Sequence, residues 1–139
     1  MLEHIIYASK SVVPLPLDIK DILAASRRNN PPAGITGALC FIDGTYLQYL
    51  EGEPAALAAL YQKIEADPRH REARVLARGS VSERLFADWS MALLTFNDET
   101  RAIVRALVDG SDDVYSVKPD RAAHLMSAFA ASANWKTVQ

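Results

Sequence analysis

Hydrophobic and polar positions along this chain follow two periods in turn, and the changes of period mark its elements. Residues 3–9, Glu-His-Ile-Ile-Tyr-Ala-Ser, read as a short strand. Pro14 and Pro16 then mark a loop, and Asp18 stands where a helix N-cap is expected. Ile19, Ile22, Leu23 and Ser26 share one face of that helix, and Asn30 continues the stripe one turn beyond Ser26. Pro31-Pro32 is expected to stop the helix, leaving Asn29 and Asn30 in a frayed last turn. Strands at 36–42 and 45–51 follow, joined by Asp43-Gly44, a dipeptide that favours a two-residue hairpin. Pro54 opens a second helix with Leu57, Leu60, Tyr61 and Ile64 at helical spacing, and Asp67-Pro68 ends it. Residues 73–81 and 89–96 read as two further strands. Past Asn97, residues 98–108 look helical and 109–113 form a polar turn. Pro119 then begins a last helix with Ala122, Leu125, Met126, Phe129 and Ala133 on one side.

The order βαββαββ, with two helices long enough to cover one sheet face, predicts a ferredoxin-like α/β sandwich at 1–97. Residues 98–139 are too few to hold a core of their own. They are expected to pack on the sheet as an extension carrying two C-terminal helices.

Composition narrows the function more than the fold. The chain has 139 residues, half of them apolar, enough for one domain with a real core. A net charge of −2 gives no electrostatic case for nucleic acid or an anionic membrane. Cys40 is the only cysteine, so neither an internal disulfide nor a multi-cysteine metal site can form; between Leu39 and Phe41 it reads as a buried, inert thiol. No metal site is expected. The N-terminus lacks a basic region followed by a long apolar run, and no stretch approaches the ~20 apolar residues of a membrane span. A cytoplasmic location is expected.

Candidate chemistry lies in a few polar residues at apolar positions. Tyr7 is on the first strand, Asn29 and Asn30 end the first helix, and Gln48 interrupts the apolar run Tyr46-Leu47-Gln48-Tyr49-Leu50. Each has an ordinary explanation: a core tyrosine, turn chemistry before proline, and a strand glutamine on the solvent face. Strand alternation nevertheless puts Ile5, Tyr7 and Ser9 on one face, and Tyr46, Gln48 and Leu50 on one face. If both rows lie under the helices, the phenol and the carboxamide can hydrogen-bond there, Asn30 reaches the same space, and Ile22 walls one side of a planar ring. Donors and acceptors offered together suit a flat heterocycle edged with alternating carbonyl and N–H groups, such as a flavin.

Six motifs follow one another along the chain: Ile6-Tyr7-Ala8-Ser9, Ser26-Arg27-Arg28-Asn29-Asn30, Gly34-Ile35-Thr36-Gly37, Leu47-Gln48-Tyr49-Leu50-Glu51-Gly52, Asp67-Pro68-Arg69-His70 and Phe86-Ala87-Asp88-Trp89-Ser90-Met91. In carrying them the chain resembles the BLUF family, flavin-binding blue-light sensors. The resemblance implies non-covalent FAD between the two helices, with FMN or riboflavin as alternatives, and a photoreceptor of the short stand-alone type, not an enzyme. It implies Tyr7 as electron donor, Gln48 as the amide that rearranges, and Asn30 at the ring edge beside Asn29. It implies Trp89 and Met91 as switch positions on the last strand of the sheet. Arg28, Asp67, Arg69 and His70 are implied for the ribityl and phosphate groups. A homodimer and a downstream protein partner are expected.

Three other classes compete. An RNA-binding sheet needs stacked aromatics on one open face and a basic surface, whereas Tyr46 and Tyr49 alternate and the charge is negative. An acylphosphatase-like hydrolase would use Arg27, Arg28 and Asn30, but no Gly-rich anion cradle follows the first strand. A ligand-binding module without photochemistry would be separated from a sensor by its visible spectrum.

Overall fold

Strand pairing explains most of the architecture. A computed structural model describes residues 2–11, 19–42, 45–66, 70–86, 91–94, 97–108, 117–131 and 135–138. Its elements in chain order are β1 (Glu3–Ser11), α1 (Ile19–Ala33), β2 (Thr36–Ile42), β3 (Thr45–Gly52), α2 (Pro54–Ala66), β4 (His70–Ser80), β5 (Met91–Leu94), α3 (Asp98–Leu107), α4 (Pro119–Ala131) and β6 (Trp135–Val138). They form one sheet in the order β4-β1-β3-β2-β5-β6. β5 runs parallel to β2, and every other neighbouring pair is antiparallel. The first four strands have the interleaved order of the ferredoxin-like fold. Right-handed crossovers from two antiparallel strands put α1 and α2 on the same face.

The pleat sorts side chains into two cores. Ile5, Tyr7, Leu39, Tyr46 and Leu50 pack with Leu57, Leu60, Tyr61 and Ile64 of α2. Ile6, Ala8, Ala38, Cys40, Leu47 and Tyr49 face the other way, against Val104 of α3 and Ala122, Leu125, Met126 and Phe129 of α4. The result is a three-layer stack, helices on sheet on helices. Burying each large apolar side chain in such a layer contributes about 1.5–3 kcal/mol. At Cys40, burial raises the thiol pKa well above its ordinary range, which leaves the side chain inert.

Two boundaries and one added strand are the main differences from expectation. Pro31 and Pro32 lie inside α1, which runs on to Ala33. The prolines remove two N–H donors, but their φ is helical, so the chain keeps its curl for one more turn. The helix then closes on Gly34, whose φ is +70°: the Gly34 N–H donates to the Pro31 carbonyl and the Ile35 N–H to the Asn30 carbonyl, each at 3.0 Å. That pair of bonds is a Schellman cap, and it places Asn30 in the last intact turn, not a frayed end. β4 begins at His70, three residues earlier than read from the sequence. The third difference is β6, which pairs with β5 from Met91↔Val138 to Leu94↔Trp135. Four residues are too few to show a period. Ala133, assigned to the last helix, lies outside the described residues.

Other signals translate directly. Ile42 pairs with Thr45, the register a two-residue hairpin requires, although Asp43 and Gly44 themselves are outside the described residues. Asn97 caps α3 in a capping box: its side chain accepts from the Thr100 N–H at 3.1 Å, and the Thr100 hydroxyl accepts from the Asn97 N–H at 2.7 Å.

Candidate functional site

Register builds the site. Tyr7 on β1 stands opposite Gln48 on β3, Gln48 opposite Leu39 on β2, and Leu39 opposite Leu93 on β5. Opposed residues share a face with Cβ atoms roughly 4.5–5.5 Å apart. One row of side chains therefore crosses the middle of the sheet beneath α2. A second row, Ser9, Tyr46 and Phe41, runs beside it.

Burial decides against the ordinary reading of Gln48. Its exposure is 3%, Tyr7 has none, and Asn30 has 2%. Among residues 24–33 of α1, Asn30 alone is buried. The hydroxyls of Tyr7 and Tyr46 and the Oε1 atom of Gln48 are all buried side-chain oxygens. Around them the layer is aromatic and aliphatic. The Tyr7 ring meets Tyr61 edge-on at 5.4 Å, and Tyr46 meets Phe41 edge-on at 5.0 Å. Sinking phenols and carboxamides into such a layer costs free energy unless they are matched. Hydroxyl and carboxamide groups set among apolar rings suit a planar ligand whose ring is apolar and whose edge carries carbonyl and N–H groups.

The remaining residues expected at the site are spread more widely. Arg28 and Asn29 are exposed on α1. Asp67, Arg69 and Trp89 lie outside the described residues, as does the side chain of Ile22. His70 and Met91 are placed by backbone alone, His70 opposite Ser11 at the start of β4 and Met91 opposite Val138 at the start of β5.

A second polar group was not read as a site from the sequence. Glu51, on the opposite face of β3 from Gln48, is wholly buried. Its carboxylate accepts from the backbone N–H groups of Leu85 and Phe86, each at 2.7 Å, and from the Thr36 hydroxyl at 3.0 Å. Arg84 donates to the Thr36 hydroxyl at 2.8 Å and to the carbonyls of Gly34 at 2.7 Å and Glu51 at 3.2 Å. Burial, and then the Glu51 carboxylate, push the Tyr49 phenol above its ordinary pKa. Burial also lowers the pKa of His4, whose ring stacks on Tyr49, while Glu51 and Glu3 oppose that shift. The only hint in the sequence was the carboxylate of Leu-Glu-Gly at an inward strand position.

Comparison with known proteins settles the family. The family described as "Sensors of blue-light using FAD" matches residues 2–92. The chain belongs to the BLUF family. BLUF domains are blue-light sensors that bind FAD, and the ring-edge donors here fit that group. The structure of "BlsA photo-activated state" superposes with a TM-score of 0.88 at 25% identity, covering 100% of this chain and 99% of that one. The dark-state structure of the BLUF protein BlrB gives 0.75 at 31% identity, covering 94% and 97%. Photoactivated adenylate cyclase subunit beta of Euglena longa is 33% identical over 96 residues, 68% of this chain. The chain spans only 11% of that protein's length. The likeness to BlsA thus extends over α3 and α4, beyond the BLUF match itself. Among the described residues no helix is long and apolar enough to cross a membrane, and no cluster of His, Cys, Asp and Glu could hold a metal ion.

Proposed function

We propose that this chain is a blue-light receptor in which Tyr7, Gln48 and Asn30 hold the ring edge of FAD, and that it passes on a changed state instead of turning over a substrate. The observation that carries the reading is the direct opposition of Tyr7 and Gln48 on one buried row, together with the burial of the Asn30 carboxamide on α1. When bound, the flavin supplies blue absorption and an excited state able to oxidise a nearby phenol. Tyr7 is that phenol, able to give up an electron and its hydroxyl proton. Gln48 is the neighbour able to take the proton and turn its amide, exchanging a donor for an acceptor at the same point. An added donor at a ring carbonyl lowers the excited state more than the ground state and moves absorption to the red.

Ile22 would wall one side of the ring. Arg28, Asp67, Arg69 and His70 would serve the ribityl and phosphate groups, with Asn29 a further contact beside Asn30; the family match is what favours FAD over FMN or riboflavin. Trp89 and Met91, at the entrance to β5, would carry the rearrangement onward. We place the receptor in the cytoplasm as a homodimer that signals to another protein.

The purified chain should release FAD on denaturation. Asn30→Ala should lower flavin affinity roughly tenfold, because a buried ring-edge group loses its partner at a cost of about 1–3 kcal/mol. Wild-type protein that takes up no flavin, or an alanine variant that retains it equally well, contradicts this assignment.

A further inference from the structure

The two faces of the sheet are joined at one end of β3. Gln48 lies on the α2 face and Glu51 on the α4 face of the same strand, three positions on. Glu51 holds both N–H groups of the Leu85-Phe86 step, and Thr36 bridges its carboxylate to Arg84. Arg84 also grips the Gly34 carbonyl, at the cap that fixes Asn30. Phe86 packs edge-on against Tyr49 at 5.4 Å and belongs to the core shared with Leu125, Met126 and Phe129. Three pieces of chain therefore meet around the Glu51 carboxylate and Arg84: the stretch from Gly34 to Thr36 that opens β2, the end of β3, and residues 84–86.

Next to this junction lies open space. A cavity of about 390 Å³ is lined by residues 80–85, by Ala123 and Ser127 of α4, and by His4 and Tyr49. The segment held by Glu51 is thus tied to β3, reaches the α4 core through Phe86, and borders the cavity through Arg84 and Leu85.

We infer that Glu51 and Arg84 are positioning residues for the photoresponse: they form a latch that converts a shift of β3 at Gln48 into a displacement of residues 84–86 and hence of α4. A carboxylate suits this task because it accepts both backbone N–H groups and the Thr36 hydroxyl at once, so the segment follows β3 without play. An amide at the same position accepts through one oxygen only and faces one of the N–H groups with its own donor.

The inference rests on the proposed photoreceptor reading, and the test separates the two. Full-length protein with its flavin is studied in the dark and under blue light by absorption and by hydrogen exchange. In wild type, light should shift the flavin band and change exchange in residues 84–94 and 117–131. Glu51→Gln should keep the flavin and its red shift, while the light-induced change in exchange falls at least fivefold. Arg84→Ala, at a partly exposed position, should reduce that change in the same direction and provides the test should Glu51→Gln fail to fold. A purely structural role would alter flavin retention or stability without separating the optical response from the exchange response. Either variant with the full light-induced exchange change overturns the latch. Absence of a red shift in wild type overturns the photoreceptor reading and the latch with it.

Discussion

Tyr7→Phe is expected to bind flavin as wild type does and to show no light-induced red shift. The substitution removes one oxygen from a fully buried ring and keeps its edge-on contact with Tyr61. Loss of the hydroxyl costs about 1 kcal/mol of stability, too little to unfold a domain of this size. What disappears is the phenolic proton, and with it the reason for the Gln48 amide to turn. Gln48→Leu should give the same silent spectrum by the complementary route, since a leucine fills the volume but offers no carbonyl or N–H. Absorption spectra recorded before, during and after illumination check both variants. A normal photocycle in either one removes that residue from the mechanism.

The second large effect is structural. Gly37 stands opposite Leu50 in the β2–β3 ladder, and a Cβ there would collide with the Tyr49 carbonyl, whose carbon would be 3.1 Å away. The carbonyl is backbone and the Cβ is fixed directly to backbone, so no side chain can turn aside to relieve the collision. Gly37→Ala must push β2 from β3 in the middle of the sheet, directly beside the row that carries Gln48. Overpacking of this kind costs about 1–3 kcal/mol, with a backbone clash at the upper end. A loss of about 3 kcal/mol would lower the melting temperature by roughly 10 °C. Thermal unfolding followed by circular dichroism checks this, and an unchanged midpoint would show that the strands separate freely at that point. Gly34, by contrast, is required for its backbone conformation alone, since a Cβ there would meet nothing within 4 Å.

Much of this arrangement could be read from residues, and the reason is the pleat. Because a strand sends alternate side chains to opposite faces, the spacing of Tyr7 from Ile5, and of Gln48 from Tyr46 and Leu50, already assigned each to a row. What alternation could not supply was the pairing. Only the register, Tyr7↔Gln48, puts the two rows side by side. The exposed state of Arg28 and Asn29 was equally beyond a helical stripe, which locates a residue on a face but not its distance from the core. Pro31-Pro32 misled because the restriction each proline places on the residue before it predicts a helix end there, whereas the coil persists to a glycine that can close it. The Glu51 junction was hidden for a different reason. It joins residues 36, 51 and 84–86, and no local pattern reports contacts across such separations. β6 is defined in the same way, by its partner strand and not by its own four residues.

The central claim is that a phenol and a carboxamide on adjacent strands share one flavin and exchange hydrogen bonds when it absorbs light. It is tested most directly by the visible spectrum of the purified chain in darkness, under blue light and after return to darkness. The account predicts a yellow protein whose flavin band moves to longer wavelength under illumination and recovers fully in the dark. A colourless protein, or a bound flavin whose band keeps its position under blue light, would contradict it.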